Sequence, residues 1–406
     1  MQRSARIAVR RAVSGSIPYL ISVLLLTACQ DATEMTSPRP TLIGVVRSAS
    51  TGQPIAGAEV KLGASTSITD HTGRYFFIHL IPGAGKLEVN AAGFDSLTMP
   101  VMVTSAEVVQ NIDLNRITLF DQGEFSVYVP DVPRITAVLV TLGGPDTRGF
   151  SAGTAFGAPL PEVEASLQSF GQKLRGIAQA RGIAILGTSK AAMADEAGSD
   201  KLIVDALDAV AKKSGYGDLA SLPILLYGLS GGGPEASGFA ARNPQIVAGL
   251  FLKSPLDVEI LNTAAARAVP TFVVLAEFDT FVDNSAIQSA FNANRKSGGL
   301  WGLAIEAGVP HHFLTPNQQL LTSNWMIATL KARVAMQSID PNFLESPPSS
   351  GLGGLVPYPE ALGWLGNHVT GEIGAWGDYR GDPSSASWFP SQAVAENWRA
   401  FRQSGQ

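Results

Sequence analysis

Residues 227–235 read YGLSGGGPE behind the apolar run LPILLY. A serine hydroxyl becomes a useful nucleophile only when a base takes its proton, and a carboxylate best orients that base. Ser230 sits inside a G-x-S-x-G string, Gly228 to Gly232, where an apolar strand gives way to a short helix. At such an elbow small neighbours let strand and helix approach while the serine takes strained backbone angles. Of the five histidines, His71 lies in the TDHTG turn beside Asp70, His79 at a strand end and His368 in a distant tail. His311 and His312 follow the run LWGLAIE and are the candidate bases. The candidate carboxylates downstream of Ser230 are Asp257 in KSPLD and Glu277, Asp279 and Asp283 in TFVVLAEFDTFVD. No spacing among the histidines suggests a metal cluster, and no cofactor is implied.

These residues need a scaffold, and the chain from about residue 120 supplies an alternating pattern. The expected strands are EFSVYVP, ITAVLVTL, GIAILGT, LPILLYG, IVAGLFLKS, TFVVLAE and LWGLAIE. Helical stretches lie between and after them: EVEASLQSFGQKLRGIAQA, SDKLIVDALDAVAKK, PEASGFAARN, DNSAIQSAFNANR and NQQLLTSNWMIATLKARV. Apolar residues recur at three and four, as in Leu202, Val204, Ala206, Leu207 and Val210. The pattern predicts an α/β unit with a mostly parallel sheet covered on both faces.

With the motif in that position, residues 120–335 resemble the alpha/beta-hydrolase superfamily, especially its bacterial esterase-like members. The resemblance implies a chain order of serine, acid, histidine, with the acid after the strand that precedes the last one. It therefore assigns nucleophile to Ser230, acid to Asp279 and base to His311, which stands three residues beyond Gly308. His312, Asp283 and Asp257 remain alternatives, Asp283 because it could instead cap the helix NSAIQSAF. The oxyanion hole is expected from the amide of Gly231 and from the GGPD loop, through Gly143 or Gly144. Leu142 stands where the superfamily often has a histidine, which leaves open which amide donates.

Upstream, residues 41–116 read as short strands, LIGVVR, AEVKLG, RYFFIHL, GKLEVNAAG and VVQNIDLN, separated by STGQPIAG, TDHTG and IPGAG. This predicts a small antiparallel β-sandwich. Gly57 and Gly73 stand where turns require positive φ, and Tyr75 and Phe77 alternate with Phe76 so that one aromatic face is buried. The segment closely resembles the carboxypeptidase regulatory-like, transthyretin-type domain. That resemblance implies a spacer or adhesion module, with a cell surface or polysaccharide as its contact, and no catalysis.

Residues 1–28 carry Arg3, Arg6, Arg10 and Arg11 before IPYLISVLLLTA, the layout of a secretory signal and too short for a comfortable membrane span. LTAC, ending at Cys29, resembles the lipobox of bacterial lipoproteins, which implies lipidation of Cys29 and a membrane anchor followed by a polar tether over 29–40. Cys29 is the only cysteine, so the exported part has no disulfide. The hydrolase unit is expected over 117–340. A Pro- and Gly-rich connector and an aromatic extension, with Trp364, Trp376, Trp388 and Trp398, fill 341–406 and are expected to pack over the body. A net charge of −5, with no basic stripe in the body, argues against nucleic-acid binding. The expected activity is hydrolysis of a small ester through an acyl-enzyme. A peptidase or amidase of the same fold and an inactive surface binding protein are the rivals.

Overall fold

The computed structural model describes residues 41–144, 146–158, 160–189, 196–217, 219–258, 263–311, 313–335, 355 and 358–403. The expected signal, the tether with Cys29, His312 and most of the connector lie outside the described residues.

Residues 41–115 fold as two facing sheets. The first holds β1 (Thr41–Ser48), β4 (Arg74–Phe77), β7 (Glu107–Val109) and β8 (Ile112–Leu114). The second runs in the order β3 (Ser65–Ile68), β2 (Glu59–Leu62), β5 (Gly83–Asn90), β6 (Leu97–Val103). Pairing is antiparallel except where β1 meets β7 and β8 in parallel. Tyr75 and Phe77 are buried while Phe76 is exposed, as strand alternation requires. Gly57 and Gly73 take φ of 74°. Strands β3 and β6 are additions to the expected set; β6 contains Pro100 and, as the sheet's edge, tolerates a residue that cannot donate.

The second unit is a mixed sheet of eight strands: β9 (Leu119–Asp121), β10 (Phe125–Tyr128), β11 (Ala137–Gly143), β12 (Ile183–Thr188), β13 (Ile224–Leu229), β14 (Val247–Lys253), β15 (Thr271–Ala276) and β16 (Trp301–Glu306). Their spatial order is β9-β10-β12-β11-β13-β14-β15-β16, with β10 antiparallel to both of its neighbours, β9 and β12, and every other pair parallel. Numbered within the sheet, that is 1-2-4-3-5-6-7-8, the alpha/beta-hydrolase fold. Helices α1 (Arg148–Ala152), α2 (Pro161–Arg181), α3 (Glu196–Ser214), α4 (Gly232–Arg242), α5 (Ala264–Arg267), α6 (Asn284–Lys296) and α7 (Pro316–Ala335) connect the strands and follow the last of them. One apolar core, with Leu207, Phe239 and Phe291, fills one face of the sheet, and a second, with Phe170, Tyr227 and Trp325, fills the other. Among the described residues no helix is long and apolar enough to cross a membrane.

The sandwich is joined to this unit through Arg116. Its Nε donates to Asp131 Oδ1 at 2.9 Å and its Nη1 to the Ser214 carbonyl at 3.0 Å, while the guanidinium lies over Phe94 and Tyr216.

The C-terminal extension forms β17 (Trp364–Gly366), β18 (Ile373–Ala375), β19 (Ser387–Phe389) and α8 (Gln392–Gln403). It covers β16, which would otherwise be an open sheet edge. The Leu303 amide donates to Ser387 Oγ at 2.8 Å, and the Trp398 indole donates to the Leu303 carbonyl at 2.7 Å. Arg295 of α6 donates to the carbonyls of Ala386 and Pro383. Trp388 and Trp398 are fully buried; Trp364 and Trp376 are half-buried.

Candidate active site

Strand β13 ends at Leu229 and α4 begins at Gly232, so Ser230 stands at the turn with φ 55°, a left-handed conformation that an L-residue adopts only under constraint. Three backbone bonds supply the constraint. The Ser230 amide donates to the Lys253 carbonyl at 3.0 Å, and the Ser230 carbonyl accepts from Gly233 at 3.0 Å and Leu256 at 3.1 Å. The flanking glycines are set by contact: a Cβ on Gly232 would stand 2.2 Å from the Leu142 carbonyl, and one on Gly228 would stand 2.8 Å from the Gly232 carbonyl.

His311 reaches Ser230 from the loop after β16. Its Nε2 lies 2.7 Å from Ser230 Oγ, and its Nδ1 lies 2.6 Å from Asp279 Oδ2. Neutral imidazole placed this way carries its proton on Nδ1, towards the carboxylate, and leaves Nε2 to accept from the serine. The other carboxylate oxygen of Asp279 accepts from the amides of Phe281 at 2.9 Å and Val282 at 3.0 Å. Burial pulls the Asp279 carboxyl upward, but the His311 hydrogen bond and the Phe281 amide outweigh it and hold the group below the ordinary aspartate range. Ser230 and His311 are 7% and 5% exposed, so the pair is largely withdrawn from water.

The other candidates fall elsewhere. Asp283 caps α6, accepting from the amides of Ser285 at 2.9 Å and Ala286 at 3.1 Å. Asp257 is exposed and accepts from the next amide, that of Val258. His71 and His79 are exposed on the sandwich, and His368 is held between the extension and α6, against Phe291 and Trp398. Of the two upstream glycines, Gly144 lies against the nucleophile: a Cβ there would stand 3.6 Å from the Gly231 amide and 3.8 Å from Ser230 Oγ. Gly143 is the last residue of β11, in register with Leu229. The Gly144 amide donates to the Leu229 carbonyl at 3.3 Å, and the next residue, Pro145, has no N–H. Gly231 occupies the N-cap of α4, where the amide lies outside the helix's own ladder. Among the described residues, no three His, Cys, Asp or Glu gather where they could hold a metal.

Glu277, expected only as a carboxylate at the strand end, supports the site, as do several residues that were not singled out in the sequence. Glu277 clamps the acid loop to the histidine loop, its Oε2 accepting from the Gly308 amide at 2.8 Å. The Phe281 ring packs on His311 with centroids 5.1 Å apart, and Leu256 lies beside Gly231; both are exposed. Lys253 and Glu306 lie buried beneath it. Charged residues at the ends of apolar runs, as in IVAGLFLKS, are the signal that could have marked these last two.

Residues 41–115 match the model of the carboxypeptidase regulatory-like domain. No curated protein matches the chain. Similar solved structures include esterase PE8, at 15% identity over 52% of this chain and 99% of that one, with a TM-score of 0.36. A thermostable esterase is 12% identical over 71% of this chain and 98% of that one, with a TM-score of 0.39. A minor pilin of Streptococcus agalactiae, GBS52, is 18% identical over 20% of this chain and 45% of that one, with a TM-score of 0.18.

Proposed function

We propose that this chain is a serine hydrolase that cleaves carboxylic esters through an acyl-enzyme on Ser230. The observation that carries the reading is the unbroken relay from Ser230 Oγ through both ring nitrogens of His311 to Asp279 Oδ2, at 2.7 and 2.6 Å. His311 Nε2 takes the hydroxyl proton as Ser230 Oγ attacks the ester carbonyl, and Asp279 stabilises the imidazolium that results. The proton then passes to the leaving alkoxide, which departs as an alcohol. Water, deprotonated by the same nitrogen, attacks the acyl-serine and releases the acid. The Gly231 amide is the first donor to the oxyanion, and such a donor contributes about 3 kcal/mol. Gly144 is the second, and its amide must turn from Leu229 towards the oxyanion as charge develops.

The test is labelling of the purified chain by a fluorophosphonate, with the adduct located by mass spectrometry. Attachment at Ser230, and loss of turnover by a factor of about 10³ or more in Ser230→Ala, is the expected result. A folded protein that neither turns over activated esters nor takes the label is a binding protein. Turnover of a peptide above that of the matching ester makes it a peptidase.

The same reading includes export and lipid anchoring at Cys29, with the sandwich as the spacer between membrane and hydrolase. Cys29→Ser is expected to release the protein from membranes; continued acyl incorporation in that variant refutes the anchor.

A further inference from the structure

Two exposed side chains lie against the reacting groups, and both are apolar. Leu256 is 50% exposed, with a methyl carbon 3.7 Å from where a Cβ on Gly231 would stand. Phe281 is 73% exposed, and its ring centroid lies 5.1 Å from that of His311, with the two planes inclined at 44°. A single exposed phenylalanine is ordinary on a protein surface. What distinguishes this one is that it leans on the catalytic imidazole and that its backbone is held there. The Phe281 amide donates to Asp279 Oδ1 at 2.9 Å. The next residue, Val282, is buried in the core and donates to the same oxygen at 3.0 Å, after which the chain enters α6 through the Asp283 cap. A ring carried on a backbone bonded to the triad acid has little backbone freedom left to lose when a ligand lies on it.

The chemistry of acyl transfer decides which part of a substrate meets that ring. The ester carbonyl carbon must stand at Ser230 Oγ with its oxygen towards the Gly231 amide. The leaving oxygen must then come within hydrogen-bond reach of His311 Nε2, because that nitrogen gives it the proton. The carbon chain on the leaving oxygen therefore starts beside the imidazole, and Phe281 is the exposed apolar surface that borders it. A ring of this kind attracts alkyl and aryl groups through displaced water and dispersion, and it offers no hydrogen bond to a hydroxyl or an anion. Aromatic faces also hold cations. Here the neighbouring imidazole becomes positive in the transition state and repels one, which leaves an uncharged apolar group as the matching chemistry.

We propose that Phe281 is a specificity-determining residue that borders the alcohol side of the site and selects esters of uncharged alkyl or aryl alcohols. This names a substrate class for the ester-hydrolase reading of Ser230 and rests on that reading.

The experiment measures kcat/KM of the full chain for two pairs of esters. Propyl acetate and 2-phenylethyl acetate differ by a phenyl group on the alcohol; methyl propanoate and methyl 3-phenylpropanoate differ by one on the acyl group. The unmodified chain is expected to favour 2-phenylethyl over propyl acetate by about tenfold. In Phe281→Ala that ratio falls to about twofold or less while the acyl-side ratio stays where it was, and Phe281→Tyr, which keeps the ring, keeps the alcohol-side ratio. A ring that only shields His311 would instead lower all four esters by one factor and leave both ratios alone, which overturns the proposal. So does a Phe281→Ala variant in which the acyl-side ratio falls and the alcohol-side ratio does not. An unmodified chain that hydrolyses the four esters without an alcohol-side preference overturns it with no variant needed. A chain that hydrolyses none of them and leaves a fluorophosphonate unreacted fails the ester-hydrolase reading itself, and the assignment of Phe281 falls with it.

Discussion

Strand β1 of the sandwich and strand β11 of the mixed sheet differ by one residue in length and bury themselves by different rules. Along TLIGVVRS every second residue is buried, whereas every residue of AVLVTLG is. A sheet covered on one face has a wet side for its polar groups; one covered on both faces does not. The consequence is visible in where each unit keeps its charges. The sandwich places Lys61 and Glu59, and Lys86 and Glu88, on its surface as half-exposed pairs. The mixed sheet takes Lys253 and Glu306 inside. Strain divides the same way. Among the described residues the sandwich has one non-glycine at positive φ, the exposed His79, while the mixed sheet has Ser230 and Ser254, both buried at the ends of adjacent strands. Stored strain and buried charge lie in the unit that is covered on both sides, where packing can hold them.

That contrast is broken most severely by adding one methyl group to each unit. A Cβ on Gly44 would stand 1.9 Å from the Gln110 carbonyl, the atom to which Tyr75 Oη donates at 2.7 Å. A Cβ on Gly232 would stand 2.2 Å from the Leu142 backbone. Each replacement by alanine is expected to cost about 4 kcal/mol or more, because backbone must move. Their readouts differ. Gly44→Ala unfolds the sandwich, seen as a lost calorimetric transition, and leaves ester turnover in place; Gly232→Ala abolishes turnover along with the larger transition. Loss of turnover in Gly44→Ala would show that the two units fold as one through Arg116.

The next effect concerns the extension. Burial, helped by the charge of Arg402, lowers the His368 imidazole from an ordinary 6.5 to about 4. Its folded pKa lies below its unfolded value, so its contribution is complete above pH 6.5 and is lost as pH falls from 6.5 towards 4. The loss amounts to ~3 kcal/mol at the bottom of that window. Denaturation midpoints followed by tryptophan fluorescence should fall across that range, since Trp398 packs on His368. His368→Asn should flatten the slope there. An unchanged slope in that variant would place the acid sensitivity elsewhere.

The difference between the two units also explains what could be read from residue order alone. Alternation in RYFF and turn glycines at 57 and 73 are local signals, and the sandwich follows from them except at β3 and β6 and at VVQNIDLN, which reads as one strand and forms two, β7 and β8. STSI of β3 has no apolar face, and LTMPVMV of β6 contains Pro100, so neither carries the local signal. In the mixed sheet seven of the eight strands, the serine elbow and the loops bearing Asp279 and His311 were legible, because apolar runs and chain order mark them; β9, the three residues LFD, has no such run. The strand order was not legible, nor was the tie from Glu277 to the Gly308 amide, nor were Lys253, Ser254 and Glu306; these relations arise only when β14, β15 and β16 lie side by side. The Trp-rich extension was legible as packing material. Its covering of the β16 edge, through Ser387 and Trp398, was not, since both reach Leu303, 84 and 95 residues away in the chain.

The smallest expected effect on stability separates two aspartates that sequence alone leaves in competition. Asp279 and Asp283 stand four residues apart, and each accepts two backbone amides. Only Asp279 also meets an imidazole. The caps formed by Asp283 satisfy two donors at the start of α6, so Asp283→Ala should lower stability by ~1 kcal/mol and leave kcat/KM within about twofold. Asp279→Asn keeps an acceptor for Phe281 and Val282 and should hold stability nearly level. It removes the negative charge that opposes the developing imidazolium and no longer fixes the proton on Nδ1, so kcat should fall by about 10⁴. Measured together, the two variants test whether the strain and burial of this sheet serve chemistry at one aspartate and only helix capping at the other. Equal losses of kcat at both positions would mean that the loop after β15 acts as a rigid whole, with Asp283 holding Asp279 in place through the start of α6.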